Sequence, residues 1–148
     1  MGTRSTIALE FADGTVQQVY CHWDGYLSHN GKILFEHYTD PFKLRDLIDL
    51  GAISSLKPEV GEKQDFDKRE TQNDNWTLAY ARDRGEELTI NKFKDLKDYY
   101  ENCQGEEYDY ILSPRDGKAQ WYVRFYGTDG NWIPIEHAFE QQAQAEEN

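Results

Sequence analysis

The sequence predicts an α+β fold: a single domain whose antiparallel sheet is built from hairpins and a meander, with two or three short helices. Three observations predict it. First, 148 residues match one domain and suffice to bury a core without disulfide or metal staples. Second, the chain carries 4 Trp, 10 Tyr and 7 Phe, and that many rings need a dry interior. Third, runs of period-two alternation are interleaved with runs of helical spacing and joined by tight turns. That order favours antiparallel pairing over a doubly wound parallel sheet.

Residues 6–11 alternate, with Ile7, Leu9 and Phe11 on one face and Thr6, Ala8 and Glu10 on the other, as a half-buried strand requires. Asp13-Gly14 reads as a two-residue type I′ turn, and residues 16–23 as the returning strand. Asn30 reads as the cap of a helix over 31–38. Asp40-Pro41 is a stronger start signal, because the carboxylate takes one orphan N–H and proline removes another. The helix it opens spans 41–50, with Leu44, Leu47 and Ile48 as its apolar stripe and Gly51 as its stop. Residues 52–56 form a short apolar exit.

Residues 57–75 are mostly charged and amide side chains and read as a mobile polar loop. Residues 76–82 alternate like a strand, with Trp76, Leu78, Tyr80 and Arg82 on one face, and residues 82–87 read as a charged turn. Residues 91–100 place Phe93, Leu96 and Tyr100 at helical spacing. Runs at 108–112, 119–126 and 131–135, joined by Pro-, Asp- and Gly-containing turns, read as a three-stranded meander. A terminal helix or frayed tail closes the chain from residue 136.

A formal net charge of −12 argues against a basic nucleic-acid groove and against binding to an anionic membrane, so neither partner is expected. It leaves room for an acidic face that imitates nucleic acid. Cys21 and Cys103 are too few and too far apart for a zinc knuckle or redox pair. No apolar run reaches membrane-spanning length, and a cytoplasmic protein is expected.

Candidate binding residues fall in two places. The first is the strand-to-helix corner Cys21-His22-Trp23-Asp24-Gly25-Tyr26, which offers His22, Trp23, Asp24 and Tyr26. The second is Tyr80-Ala81-Arg82-Asp83-Arg84-Gly85, which offers Tyr80, Arg82 and Arg84. A ring to stack a base and a planar guanidinium for phosphate suit a small anionic, nucleotide-type ligand, provided the two segments meet. Catalytic signals are weaker. Cys21 and His22 point to opposite faces of a strand, so the imidazole does not activate the thiol. His22 and Asp24 with His29 or His37 lack zinc-type spacing. Neither a P-loop nor a dinucleotide fingerprint is present. No catalytic residue, cofactor or metal ligand is assigned, and a metal-dependent hydrolase ranks last among the readings.

The motifs Gly2-Thr3-Arg4-Ser5-Thr6-Ile7-Ala8, Tyr20-Cys21-His22-Trp23-Asp24-Gly25-Tyr26 and Arg82-Asp83-Arg84-Gly85-Glu86 recur in a characteristic order. With Gly31-Lys32-Ile33-Leu34 and Leu47-Ile48-Asp49-Leu50-Gly51, they resemble a family of small phage- and prophage-encoded proteins with no assigned activity. The resemblance spans most of the chain. It implies a non-enzymatic accessory factor acting in the host bacterial cytoplasm, by analogy one that counters host defence. The expected partner is a nucleotide-type ligand or, alternatively, a host protein blocked by an acidic surface. A homodimer is compatible with either.

Overall fold

The computed structural model describes residues 3–115 and 117–147. The hairpin is present as β1 (Ser5–Glu10) and β2 (Val16–Cys21), paired antiparallel with Ser5 opposite Cys21. Its connection is a three-residue loop rather than a two-residue turn. Gly14 N donates to Phe11 O at 2.9 Å, Phe11 N donates to Thr15 O at 2.8 Å, and Gly14 has φ 91°. The Asp13 carboxylate accepts from both Thr15 N and Thr15 Oγ1, which holds Asp13 out of the left-handed region that a type I′ turn demands.

A wide π-helical turn (Leu27–Gly31) leads into α1 (Lys32–His37). Helix α2 (Pro41–Ile48) starts as expected, with the Asp40 side chain accepting from Phe42 N at 2.9 Å, and it buries Leu44, Leu47 and Ile48 completely. It stops two residues early, ahead of Gly51 at φ 75°. Then come β3 (Ile53–Ser55), β4 (Leu78–Ala79), α3 (Tyr80–Arg84), β5 (Asn91–Phe93) and α4 (Leu96–Asn102). The meander follows as β6 (Tyr108–Arg115), β7 (Lys118–Phe125) and β8 (Ile133–Pro134), and α5 (Ile135–Glu147) closes the chain.

Three local expectations are corrected. The strand expected over 76–82 ends at Ala79, and Tyr80, Arg82 and Arg84 lie on α3, which Gly85 terminates at φ 75°. The helix expected over 91–100 is split: Asn91–Phe93 adds to β2, and α4 begins only after Asp95, whose side chain caps it by accepting from Asp98 N. Among the described residues, five α-helices form where two or three were expected.

The sheet itself is mixed, not purely antiparallel. Its order is β4-β3-β2-β1-β6-β7-β8, with β5 also on β2. β1 runs parallel to β6, placing Ser5 opposite Tyr108, and β2 is parallel to β3 at Cys21 and Ile53. One face carries Ile7, Val19, Ile53, Tyr110, Trp121 and Val123 and is covered by α1, α2 and α5 through Leu34, Leu44, Leu47 and Ile135. The other face carries Ala8, Val16 and Ile111 beneath Tyr99 of α4. Among the described residues, no helix is long and apolar enough to cross a membrane.

Buried rings use their polar ends to tie loops to this frame. Tyr110 OH donates to Gly25 O at 2.7 Å, Tyr38 OH to Lys57 O at 2.8 Å, and Trp121 Nε1 to Tyr38 O at 3.1 Å. The first two fix the corner after β2 and the start of the 57–75 segment.

Candidate ligand-binding cleft

Pairing between β2 and β3 continues past Cys21: His22 N donates to Ile53 O at 2.9 Å and Trp23 N to Ser54 O at 3.0 Å. The chain then leaves the sheet abruptly. Asp24 adopts φ 57°, and Gly25 N donates to Thr3 O at 2.7 Å. Gly25 is required there because a Cβ would lie 2.7 Å from Ser5 Cβ and 2.8 Å from Thr3 O. Beneath the corner sits Asn30, fully buried, whose Nδ2 lies within reach of Ser5 Oγ, Cys21 Sγ and Trp23 O. Asn30 is thus the internal strut of the corner and not a helix cap.

This bend turns Trp23 and Asp24 toward a cleft of about 440 Å³. The opposite wall comes from the 57–75 segment and the start of β4, with Lys57, Phe66, Arg69 and Trp76 among the lining residues. Ser55, Gln72 and Asn73 add polar groups. Trp23 is 43% exposed, an unusual position for an indole on a small domain. Lys57 and Arg69 form no ion pair among the described residues, so both cations are free to meet an anion.

The wall is held by one buried carboxylate. Asp83 accepts from Gln64 N at 2.8 Å, from Ala79 N at 2.7 Å and from Arg82 Nε at 2.9 Å. The Arg82 guanidinium also donates to Val60 O, Gly61 O and Thr77 O. Arg82 therefore faces inward, spending its fork on backbone carbonyls, and does not line the cleft. Arg84 stacks over the Phe66 and Tyr80 rings at 4.6 and 5.0 Å, and those rings stack on each other at 5.5 Å. The corner and α3 thus converge on the cleft indirectly, through Phe66.

Of the residues singled out in the sequence, Trp23 and Asp24 line the cleft, while Tyr80 and Arg84 back its Phe66 wall. His22 sits beside it, with Nδ1 2.7 Å from Tyr20 OH and its ring edge-on to Trp23 at 4.7 Å. Tyr26 is outside the cleft, next to His29.

No protein-family model, curated protein or solved structure matches the chain. The chemistry of the cleft therefore rests on its own side chains. Trp76, which the sequence offered beside Tyr80 as a ring to stack a base, does line the cleft. Lys57, Phe66 and Arg69 were not singled out, because a polar run gives no periodicity by which to see which side chains turn inward. Among the described residues, no three His, Cys, Asp or Glu side chains converge as a metal cage. Cys21 is fully buried, and burial pushes its thiol up to about 11, so it is protonated at neutral pH and cannot act as a nucleophile.

Proposed function

We propose that the chain is a non-enzymatic binding protein that holds a small nucleotide-type anion in this cleft. The observation that carries the reading is the meeting of three rings, Trp23, Phe66 and Trp76, with two unpaired cations, Lys57 and Arg69, around about 440 Å³. Indole and phenyl faces stack a base without regard to its sequence identity, and a guanidinium takes phosphate by paired hydrogen bonds. The Asp24 and Asp74 carboxylates and Gln72 Oε1 supply acceptors, and Asn73 Nδ2 a donor, for sugar hydroxyls or base edges, while both Gln72 Nε2 hydrogens stay on Asp65 O and Phe66 O. The resemblance to phage proteins supports a role as a phage accessory factor, with sequestration of a defence nucleotide as its means.

Native mass spectrometry with a panel of linear and cyclic nucleotides tests this. One retained nucleotide per chain is expected, lost in Arg69→Ala and weakened in Trp23→Ala. Both residues are exposed, so neither change disturbs the core. A spectrum free of adducts across the panel would overturn the reading and favour the acidic-surface inhibitor instead. That alternative predicts a host protein whose binding weakens steeply with salt.

A further inference from the structure

The cleft lies at the end of the sheet where β1 begins; a second concavity lies where β1 ends. It is formed by Leu9 and Phe11 from the hairpin, Phe42 from the first turn of α2, and Leu112 and Ala119 from β6 and β7, and it encloses about 410 Å³. We propose that this concavity is a separate binding site for a small amphipathic carboxylate, a molecule with a hydrocarbon body and a single acid group.

Three features of the site lead to that class. The walls are almost entirely apolar, and a pocket of this volume with apolar lining and few polar groups is the ordinary form of a small-molecule site. Phe42 is 78% exposed at its rim, although α2 has fully buried Leu44, Leu47 and Ile48 available for the core. With Leu9, Phe11, Leu112 and Ala119 beside it, the exposed ring extends a contiguous apolar surface, the kind that marks a binding site. Arg45 follows Phe42 by three residues, on the same face of α2, and also lines the concavity.

Arg45 makes no ion pair among the described residues, so its guanidinium is available at the rim. One unpaired guanidinium against apolar walls matches one carboxylate on an apolar body. The other charged lining residue, Glu10, accepts from Ser113 Oγ and keeps its negative charge, so the ligand's acid group belongs at Arg45 and away from Glu10. A phosphate ester would find too few donors here, which separates this site from the cleft.

The test is a chemical-shift titration of the full chain with sodium octanoate and, in parallel, with the neutral octan-1-ol. Octanoate should saturate at one molecule per chain and shift the amides of Leu9, Phe11, Phe42 and Ala119. Arg45→Gln should weaken octanoate about tenfold and leave octan-1-ol unchanged, the loss of one charge-assisted contact. Phe42→Ala should weaken both. Both side chains are exposed, so the variants keep the core. Scattered or non-saturating shifts, or an Arg45→Gln variant that binds both probes as the parent does, would overturn the site. So would a dimer in sedimentation that Phe42→Ala abolishes while octanoate fails to bind, since the groove would then belong to a second copy of the chain.

Discussion

Cys21 has no exposed surface, and desolvation raises its thiol from 9.0 to about 11. An acid held neutral in the folded state binds more protons than the unfolded chain between the two values, so stability is intact below pH 9 and falls as pH rises through 11. Two units correspond to about 3 kcal/mol from this one group. Buried Tyr38, Tyr99 and Tyr110 are also raised by desolvation and push in the same direction. Urea unfolding at pH 8 and pH 10.5 should show a marked alkaline loss, smaller in Cys21→Ala. An equal loss in both proteins would mean that the thiol does not titrate with unfolding. The burial of Cys21 was legible from strand alternation, because the period of two puts it on the Ile7 and Val19 face. The role of Asn30 was not, since its partners Ser5, Cys21 and Trp23 are brought to it by two separate strands and a bend.

Local elements with their own chemical signals were legible and the rest were not. Asp40-Pro41 declares α2 because cap and proline act within three residues of each other. The β6–β7 hairpin declares itself through alternation and a Gly117 turn at φ 81°. By contrast α3 is five residues long, and two residues of β4 before it complete an apparent alternation across 76–82. Pairing between β1 and β6 joins residues 103 apart, and nothing local encodes it. The cap supplies a test at this scale: Asp40→Ala removes the acceptor for Phe42 N and should cost about 1 kcal/mol. A urea midpoint equal to the parent's would show that water serves Phe42 N as well as the carboxylate does.

At the scale of the whole molecule, the cleft exists because a polar segment, whose one helical turn is the 3-10 turn Arg69–Thr71, is clamped onto the sheet edge by the Arg82–Asp83 pair. The pair is poor evidence for net stability, since desolvating both charges offsets their attraction, but it fixes where the segment lies. That distinction separates two roles for Arg82. Arg82→Lys keeps the positive charge and loses the planar fork that reaches Val60 O, Gly61 O and Thr77 O together. A residue touching ligand only through its charge would tolerate the change. A residue positioning the wall would not: amides between Gly61 and Trp76 should exchange faster with solvent, and nucleotide affinity should fall although no ligand contact is altered. Arg69→Ala should do the reverse, lowering affinity while leaving exchange in that segment as in the parent. If Arg82→Lys weakens binding with exchange unchanged, Arg82 contacts the ligand after all and the guanidinium must turn outward when it binds. The two variants together decide whether the nucleotide proposed for the −12 chain would be held through Arg69 and Lys57 on a wall set in advance or through a rearranged α3.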